Sequence, residues 1–204
     1  MLIVGGLYAG PAEDGERALR PLRELGTPIV DNSGPLPYTV LQSSLDALGP
    51  AGRRYYWKSL YLDGLGDDAI DFIVERADEA PSRLGPVVIR PLGGAIGRVP
   101  ADATAFGDRS ASFNLSIDAA WDGPAKDERN MAWVRRFWSD AHRYSNGRTY
   151  FNFAAQLEGG NELVRTSFGA GYERLVDVKT AYDPTNLFKL NPNIAPRERT
   201  ASAL

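Results

Sequence analysis

Residues 182–194 read YDPTNLFKLNPNI, which is the end of a helix followed by an extended tail. The ring of Pro184 disfavours the helical conformation at Asp183, so the sequence predicts that a helix ends there. Asparagines can satisfy backbone groups of such a tail locally, whereas a free tail has no need of large apolar side chains. The tail has both kinds of residue, namely Leu187, Phe188, Leu190 and Ile194 with Asn186, Asn191 and Asn193. We therefore predict a C-terminus that docks on the rest of the domain.

The composition is that of an ordinary globular domain. The chain has 204 residues, of which 43% are hydrophobic and 24% charged, and its net charge is −3. This is enough chain to bury one core. There is no run of Lys and Arg that would attract nucleic acid, and no apolar stretch reaches the length of a membrane span. We expect no nucleic-acid partner, no membrane partner and a cytoplasmic location.

The chain contains no cysteine and one histidine, His142. This composition excludes disulfides, thiol catalysis and any cysteine or multi-histidine metal site, so we expect no metal. A Ser-His-Asp hydrolase would need His142, which lies among helix-forming residues and far from any nucleophile-elbow motif.

Segments typical of strands and of helices alternate along the chain. Alternating or continuous apolar residues predict strands at residues 2–9, 55–62, 87–89, 112–121 and 149–153. Apolar residues spaced by three and four predict helices at residues 18–25, 40–48, 67–77, 124–141 and 168–179. No Gly-rich nucleotide loop follows a strand, so the order fits an α+β domain better than a Rossmann sheet. We predict one α+β domain over residues 1–204, with a mostly antiparallel sheet and helices packed on one face.

Four segments together resemble the berberine-bridge-enzyme-like flavoproteins, which are FAD-linked oxidases. In chain order they are YWKS at residues 56–59, LGGAIGRVPADATAF at residues 92–106, YFNF at residues 150–153 and the tail at residues 182–194. A Gly-Gly pair alone marks only a bulge or a close backbone approach. The four segments keep the family's order and are spaced over nearly the whole chain, and together they imply the C-terminal, substrate-side half of such an enzyme.

The resemblance also implies that the chain consists of two regions with different roles. Residues 2–145 are expected to form the substrate-binding sheet and helices. Residues 146–196 are expected to form the berberine-bridge-type C-terminal region, with a flavin-facing strand, a final helix and the docked tail. The family's N-terminal FAD-binding domain is not recognisable in these 204 residues. We therefore expect a fragment, a split gene product or a truncated reading frame, which does not hold FAD tightly and is inactive alone.

In the family, a hydride moves from a small-molecule substrate to FAD, and oxygen reoxidises the flavin. The resemblance implies that this chain is the substrate-binding and flavin-capping part of such an FAD-dependent oxidoreductase. The alternative is a non-catalytic binding or relic domain that kept the fold and lost the reaction.

The resemblance places Asn114 where relatives often have a Glu or Gln directed at the substrate. Asn114 lies between the predicted core residues Phe113 and Leu115, so its amide is expected to face the cavity side. An Asn can orient a substrate by hydrogen bonds, but it cannot act as a base. The alternative is an exposed polar residue of a strand.

The YFNF segment is the expected flavin contact. Tyr150 and Asn152 alternate with Phe151 and Phe153, so the first two are expected to share a face. The resemblance implies that both bind the cofactor and that Tyr150 is also catalytic; the alternative is an aromatic core strand. Phe153 departs from the family, because several relatives have a tyrosine there that is thought to deprotonate the substrate. The proton acceptor is left open between Tyr56, Tyr150 and a group outside the chain.

Two basic residues and Tyr56 complete the expected substrate-binding set. Lys58 is either an edge lysine with a solvated amine or, by the resemblance, a cavity-facing residue. Arg90 either ends a strand in solvent or pairs with an anionic or carbonyl group of a substrate. We expect five side chains to project from one face of one sheet, namely those of Lys58, Arg90, Asn114, Tyr150 and Asn152.

Overall fold

The computed structural model describes residues 1–153, 160–190 and 192–198. The chain divides into two compact units, Met1–Pro50 and Ala51–Leu204. The first unit contains two helices, α1 (Ala12–Arg23) and α2 (Tyr38–Ser43), and a short 3-10 helix at Asp46–Leu48. The expected division of the chain near residue 146 stays a prediction.

The second unit contains a three-stranded sheet. Its strands are β1 (Arg54–Leu62), β2 (Val87–Pro91) and β3 (Phe113–Trp121). The central strand, β3, pairs antiparallel with β1 on one side and with β2 on the other. Within the described residues, five α-helices accompany the sheet, namely α3 (Asp67–Asp78), α4 (Ala95–Arg98), α5 (Asp127–Ala141), α6 (Gly160–Phe168) and α7 (Tyr172–Tyr182).

The core lies between one face of this sheet and helices α3 and α5. Leu60, Leu115 and Ile117 of the strands pack against Val134 and Phe137 of α5, and all five side chains are fully buried. Burying each such side chain stabilises the fold by about 1.5–3 kcal/mol. The predicted α+β class, with an antiparallel sheet and helices on one face, is confirmed.

The strand register assigns every side chain to one of two faces. Residues directly opposite each other in an antiparallel pair share a face. Lys58 is opposite Ile117 and therefore lies on the face covered by α5, which we call the helix face. Asn114 is opposite both Tyr61 and Arg90, and these residues lie on the other side. We call that side the polar face; its residues are Tyr55, Trp57, Ser59, Tyr61, Val88, Arg90, Asn114, Ser116, Asp118 and Ala120.

Two predicted strands are wrong. Residues 2–9 adopt no regular structure, and none of the three described strands pairs with them. A run of β-forming residues becomes a strand only when a neighbouring ladder satisfies its backbone. Residues 151–153 form a short 3-10 helix, because the amide of Phe153 donates to the carbonyl of Tyr150 at 2.9 Å.

The predicted helices lie in the right parts of the chain, but several of their predicted ends are wrong. Helix α3 begins at Asp67, as predicted, and extends one residue beyond its predicted end, to Asp78. The final helical region is two helices, so that Phe168 ends α6 and does not belong to α7. Helix α7 ends at Tyr182, immediately before Asp183 and Pro184, as predicted.

The tail is anchored by one residue of the expected apolar set. Ile194 packs against the cluster formed by Val164, Tyr172 and Val176. Three other members are largely exposed, by 73%, 78% and 86%; these are Leu187, Phe188 and Leu190. The prediction that they dock the tail on this chain is therefore wrong.

The backbone of the tail is satisfied by an aspartate instead of by asparagines. The carboxylate of Asp183 accepts hydrogen bonds from the amides of Leu187 and Phe188, at 2.8 and 3.0 Å. The amine of Lys179 donates to Asp183 at 2.5 Å and to the carbonyl of Phe188 at 2.6 Å. The side-chain oxygens of Asn186 and Asn193 have no hydrogen-bond partner among the described residues, which do not include Asn191.

In the part of the chain that the structure describes, no helix combines the length and the apolar character that crossing a bilayer requires.

Candidate functional site

The polar face is built around Asn114 and Arg90. Asn114 is 2% exposed, and its amide nitrogen donates to the carbonyl of Leu60 at 3.4 Å. The guanidinium of Arg90 donates to the side-chain oxygen of Asn114 at 3.5 Å, which is a long hydrogen bond. Arg90 also lies over the ring of Phe153, 4.3 Å from its centroid. The sheet therefore holds a partly buried cation between an amide and an aromatic ring.

The segment after Asn146 runs along the edge of β1 that does not pair with β3, and it is fixed to that strand. The amide of Tyr61 donates to the carbonyl of Arg148 at 3.0 Å, and the amide of Asn146 donates to the carbonyl of Tyr61 at 3.2 Å. The hydroxyl of Thr149 donates to the carbonyl of Ser59 at 2.8 Å. These bonds fix the position from which Tyr150 projects.

Tyr150 and Asn152 are in direct contact. The side-chain amide of Asn152 donates to the phenol oxygen of Tyr150 at 2.7 Å. The ring of Tyr150 lies 5.2 Å from that of Phe153 and 5.6 Å from that of Phe106, between ring centroids. Through Phe153, this aromatic group adjoins Arg90 and the polar face.

A cavity of about 350 Å³ opens beside this segment. Its size is at the lower end of the range for small-molecule sites. The lining combines aromatic rings with a few polar groups, among them Phe106, Arg109, Thr149, Tyr150, Asn152 and Phe168.

Asp108 fixes the segment that contains Asn146 and Arg148 through hydrogen bonds and an ion pair. Its carboxylate accepts hydrogen bonds from the backbone N–H and the hydroxyl of Ser110, at 2.9 and 2.6 Å. It also accepts one from the side-chain amide of Asn146 at 2.8 Å. It also pairs with Arg148 at 3.2 Å. Burial raises the pKa of Asp108, but the bonds from Ser110 and the charge of Arg148 outweigh it, so that the pKa lies below its usual value.

The other two expected site residues lie on the helix face. Tyr56 is buried, and its phenol oxygen accepts a hydrogen bond from Arg135 at 3.3 Å. The amine of Lys58 lies 4.0 Å from the centroid of the Trp138 ring. The expectation of one shared face is therefore wrong for Lys58, because its position in the register points it towards α5. The structure brings together the remaining four residues, Arg90, Asn114, Tyr150 and Asn152, although the last two do not lie on a strand.

Sequence reasoning missed one polar-face residue, Asp118. It is half-buried on β3, and the hydroxyl of Ser116 donates to its carboxylate at 2.5 Å. Burial raises the pKa of Asp118, while Ser116 and the charge of Arg90 oppose the rise without cancelling it. The signal was available, because the alternation that places Asn114 on this face also places Asp118 there.

Residues 149–195 match the family model described as "Berberine and berberine like", and this range contains the Tyr150–Asn152 contact and the tail. An uncharacterized FAD-linked oxidoreductase of Bacillus subtilis, YgaK, is 30% identical over 200 residues, which are 96% of this chain. An FAD-linked oxidoreductase of Dictyostelium discoideum is 23% identical over 197 residues, also 96% of this chain.

The chain belongs to the berberine bridge enzyme-like family. Members carry names that designate FAD-linked oxidoreductases. The present member spans 42% of the Dictyostelium relative and 43% of the Bacillus one.

A solved structure shows the same fold. The crystal structure of 6-hydroxy-D-nicotine oxidase from Arthrobacter nicotinovorans superposes with a TM-score of 0.71 and 23% identity, covering 92% of this chain and 43% of that one. At this identity the likeness shows that the berberine bridge enzyme-like chain has the same fold as the corresponding part of that oxidase.

Proposed function

We propose that this berberine bridge enzyme-like chain is the substrate-binding and flavin-capping part of an FAD-dependent oxidase. In the complete enzyme, a hydride would move from a small-molecule substrate to FAD, with oxygen as the final acceptor. The observation that supports the proposal best is the cavity at Tyr150 and Asn152, two lining residues that lie within the family match, and this cavity adjoins the polar face.

The residues around this cavity fit the ring system of a flavin. FAD, when bound, supplies the electron acceptor that no amino-acid side chain provides. The rings of Tyr150 and Phe106 offer apolar surface to a planar group, and the exposed amide of Asn152 offers hydrogen bonds to its polar edge. Tyr150 and Asn152 are therefore the residues that we propose for holding the flavin ring.

The polar face is the proposed substrate surface. Arg90 can donate to a carbonyl or an anionic group, and Phe153 together with Asn114 fixes the orientation of its guanidinium. Asn114 orients Arg90 and does not exchange protons. Tyr56 and Lys58 are not part of this proposed surface, because they lie on the helix face.

The test is to look for a flavin-binding domain encoded next to this chain and to express the two together. The DNA immediately upstream of Met1 is sequenced and searched for a coding region, in frame or adjacent, that encodes a flavin-binding domain. The two parts are then expressed together, and the purified material is examined for bound flavin and for its anaerobic reduction by a panel of small alcohols and amines. We expect flavin to be retained and reduced, and Tyr150→Ala to weaken its retention. An unrelated upstream neighbour, or flavin that Tyr150→Ala does not affect, would contradict the proposal.

Phe153 favours a second candidate, a non-catalytic binding domain. The ring of Phe153 packs on Arg90 and has no hydroxyl, so it cannot accept a proton from a substrate. The same experiment separates the two functions, because a binding domain would retain flavin that no substrate reduces.

A further inference from the structure

We propose that the cavity beside Tyr150 binds a planar aromatic carboxylate and that Arg109 is the residue that contacts the carboxylate. The inference rests on the proposed function and deepens it, because it names a class of substrate for the oxidase. Two stretches of chain form most of the cavity lining, residues 104–109 and residues 149–152. Arg109 belongs to the first stretch, whereas the proposed flavin contacts, Tyr150 and Asn152, belong to the second.

A row of aromatic rings connects Arg109 to Arg90. The guanidinium carbon of Arg109 lies 4.8 Å from the centroid of the Phe106 ring, and that of Arg90 lies 4.3 Å from the centroid of the Phe153 ring. Between them, the ring of Tyr150 lies 5.6 Å from that of Phe106 and 5.2 Å from that of Phe153. A guanidinium at such a distance is attracted to the face of the ring. The site therefore presents apolar ring surface with a positively charged group at each end of the row.

The charge of Arg109 is not neutralised within the described part of the chain. None of the described residues that line the cavity is acidic, and Arg109 forms no ion pair with a described carboxylate. Asp108, its neighbour in sequence, pairs with Arg148 at 3.2 Å. A cleft whose charge has one sign attracts ligands of the opposite sign. The cavity therefore favours an anion, although the whole chain has a net charge of −3.

The guanidinium of Arg109 has donors that the described chain does not use. Its Nη1 donates to the carbonyl of Ile96 at 3.1 Å, and its Nη2 donates to the hydroxyl of Thr104 at 2.6 Å. Each of these nitrogens has a second N–H, for which no described residue supplies an acceptor. The Nε is buried without a partner among the described residues, so a ligand is expected at the two Nη atoms. The two bonds orient these atoms before a ligand arrives, which lowers the cost of binding.

A carboxylate on an aromatic ring matches this arrangement. Its oxygens accept charge-assisted hydrogen bonds from a guanidinium, and its ring can pack against Phe106, Tyr150 and Phe168 of the lining. Arg109 is the one cationic residue among the described lining residues, so a monoanion balances its charge, whereas a phosphate dianion would leave an excess of negative charge. In the proposed oxidase, the substrate would therefore be an alcohol or amine that also has an aromatic carboxylate, such as a (hydroxymethyl)benzoate.

Binding can be measured on the chain as it exists, with two probes that differ in charge. Naphthoate and the uncharged naphthamide have nearly the same shape. Each is titrated into the wild-type chain, and NMR follows the ring signals of Phe106 and Tyr150 and the indole signal of Trp57 on the polar face. We expect naphthoate to shift both ring signals and to bind about tenfold more tightly than naphthamide, because it accepts charge-assisted hydrogen bonds. Equal affinities, or shifts confined to Trp57, would overturn the proposal.

Substitution of Arg109 tests whether this side chain causes the preference for naphthoate. Arg109→Gln should make the affinities for the two probes equal, and Arg109→Lys should keep part of the preference, because lysine keeps the charge without the planar fork. Arg98→Gln is the matched control, since Arg98 is an exposed arginine at the end of α4 and does not line the cavity. A preference for naphthoate that survives Arg109→Gln would overturn the proposal.

The ratio of the two affinities separates direct contact from support of the surrounding chain. Arg109→Gln also removes the hydrogen bonds to Ile96 and Thr104. A displacement of residues 96–104 would weaken naphthoate and naphthamide alike and would leave their ratio unchanged, whereas the loss of a contact with the carboxylate abolishes the preference. The wild-type chain and Arg109→Lys decide the question even if Arg109→Gln does not fold.

These outcomes are separable from those for the proposed function. Flavin that no substrate reduces contradicts the proposed oxidase and leaves the preference for naphthoate unaffected. Equal affinities for naphthoate and naphthamide contradict the present inference and leave the retention and reduction of flavin unaffected.

Discussion

The guanidinium carbon of Arg90 lies 4.3 Å from the centroid of the Phe153 ring. A phenyl ring at this position offers the negative face of its π-system to the cation and donates no hydrogen bond. Tyrosine would offer a similar face with a hydroxyl attached. The contact therefore explains how Phe153 can serve the site without taking part in proton transfer, by fixing the direction in which Arg90 points.

Arg90→Ala should weaken the binding of a ligand that has a carboxylate, such as benzoate. A charge-assisted hydrogen bond is worth about 1.5–3 kcal/mol, which corresponds to about one to two decades in the dissociation constant. Arg90→Lys should recover part of the loss, because lysine keeps the charge and lacks the planar fork. NMR titration with benzoate measures the change, and Arg83→Ala, at a largely exposed arginine, is the matched control. Equal effects of the two alanine variants would refute the assigned role.

Asp118→Asn should stabilise the fold at neutral pH. The pKa of Asp118 is raised in the folded state, so the folded protein binds its proton more tightly than the unfolded chain does. The resulting stability is fully present below the unfolded pKa of about 3.9 and is lost as the pH rises through the folded pKa. Urea denaturation of the two proteins should therefore give a gap that opens between acidic and neutral pH. A gap that is constant with pH would count against the raised pKa.

Asp108→Ala should destabilise the fold by about 2–3 kcal/mol, because it removes a buried carboxylate from donors on Ser110, Asn146 and Arg148. The pKa of Asp108 is lowered, so this stability is present above the unfolded pKa and is lost as the pH falls through the folded pKa. Thermal unfolding at pH 7 and at pH 3 measures both effects. We expect the loss at pH 7 to shrink at pH 3, and the exposed Asp71→Ala to show neither effect.

Gly85→Ala should be destabilising through steric overlap at the start of β2. A Cβ atom at Gly85 would lie 2.8 Å from the Cα of Ala119 and closer still to the carbonyl oxygen of Asp118, and both are backbone atoms that cannot turn aside. Overpacking of this kind costs about 1–3 kcal/mol. Gly64→Ala is the control, since nothing lies within 4 Å of its Cβ. Equal melting temperatures for the two variants would show that β2 can move away from β3 at little cost.

Lys179→Met should loosen the tail while leaving the sheet intact. The amine of Lys179 joins the carboxylate of Asp183 to the carbonyl of Phe188, and the side chains of Lys179 and Asp183 are only 15% and 12% exposed. A loss of about 1.4 kcal/mol in local stability speeds amide exchange about tenfold. Hydrogen exchange should show this at Leu187 and Phe188. Lys189→Met, at an exposed lysine, should leave exchange unchanged, and a uniform acceleration across β3 would contradict a local role.

The central features of the fold could be predicted because they depend on short-range patterns. Strand β3 alternates apolar and polar residues from Phe113 to Asp118, and this period of two fixes both its conformation and its two faces. The apolar spacing of α5 gives its position in the same way. The end of α7 follows from Pro184, which acts within one residue of itself.

The failures arise where distant partners decide the outcome. Residues 149–153 are rich in aromatic residues, yet the amide of Thr149 bonds to the hydroxyl of Ser167, and none of the described strands pairs with residues 151–153. The face occupied by Lys58 depends on its register with Ile117, which no local pattern reveals. The basicity of Asp118 depends on burial by the assembled sheet. None of these relationships can be read from neighbouring residues alone.

The carbonyl of Ser59 accepts the hydroxyl of Thr149 at 2.8 Å and the indole of Trp138 at 3.0 Å, so one oxygen connects the segment that presents Tyr150 to helix α5. This acceptor belongs to the main chain, and every amino acid placed at position 59 would supply it. Random mutation at that codon can erase the hydroxyl of Ser59 and still leave the junction in place. The connection between helix α5 and the segment that presents Tyr150 therefore depends on the position of the backbone, and it can persist when the side chain at position 59 changes.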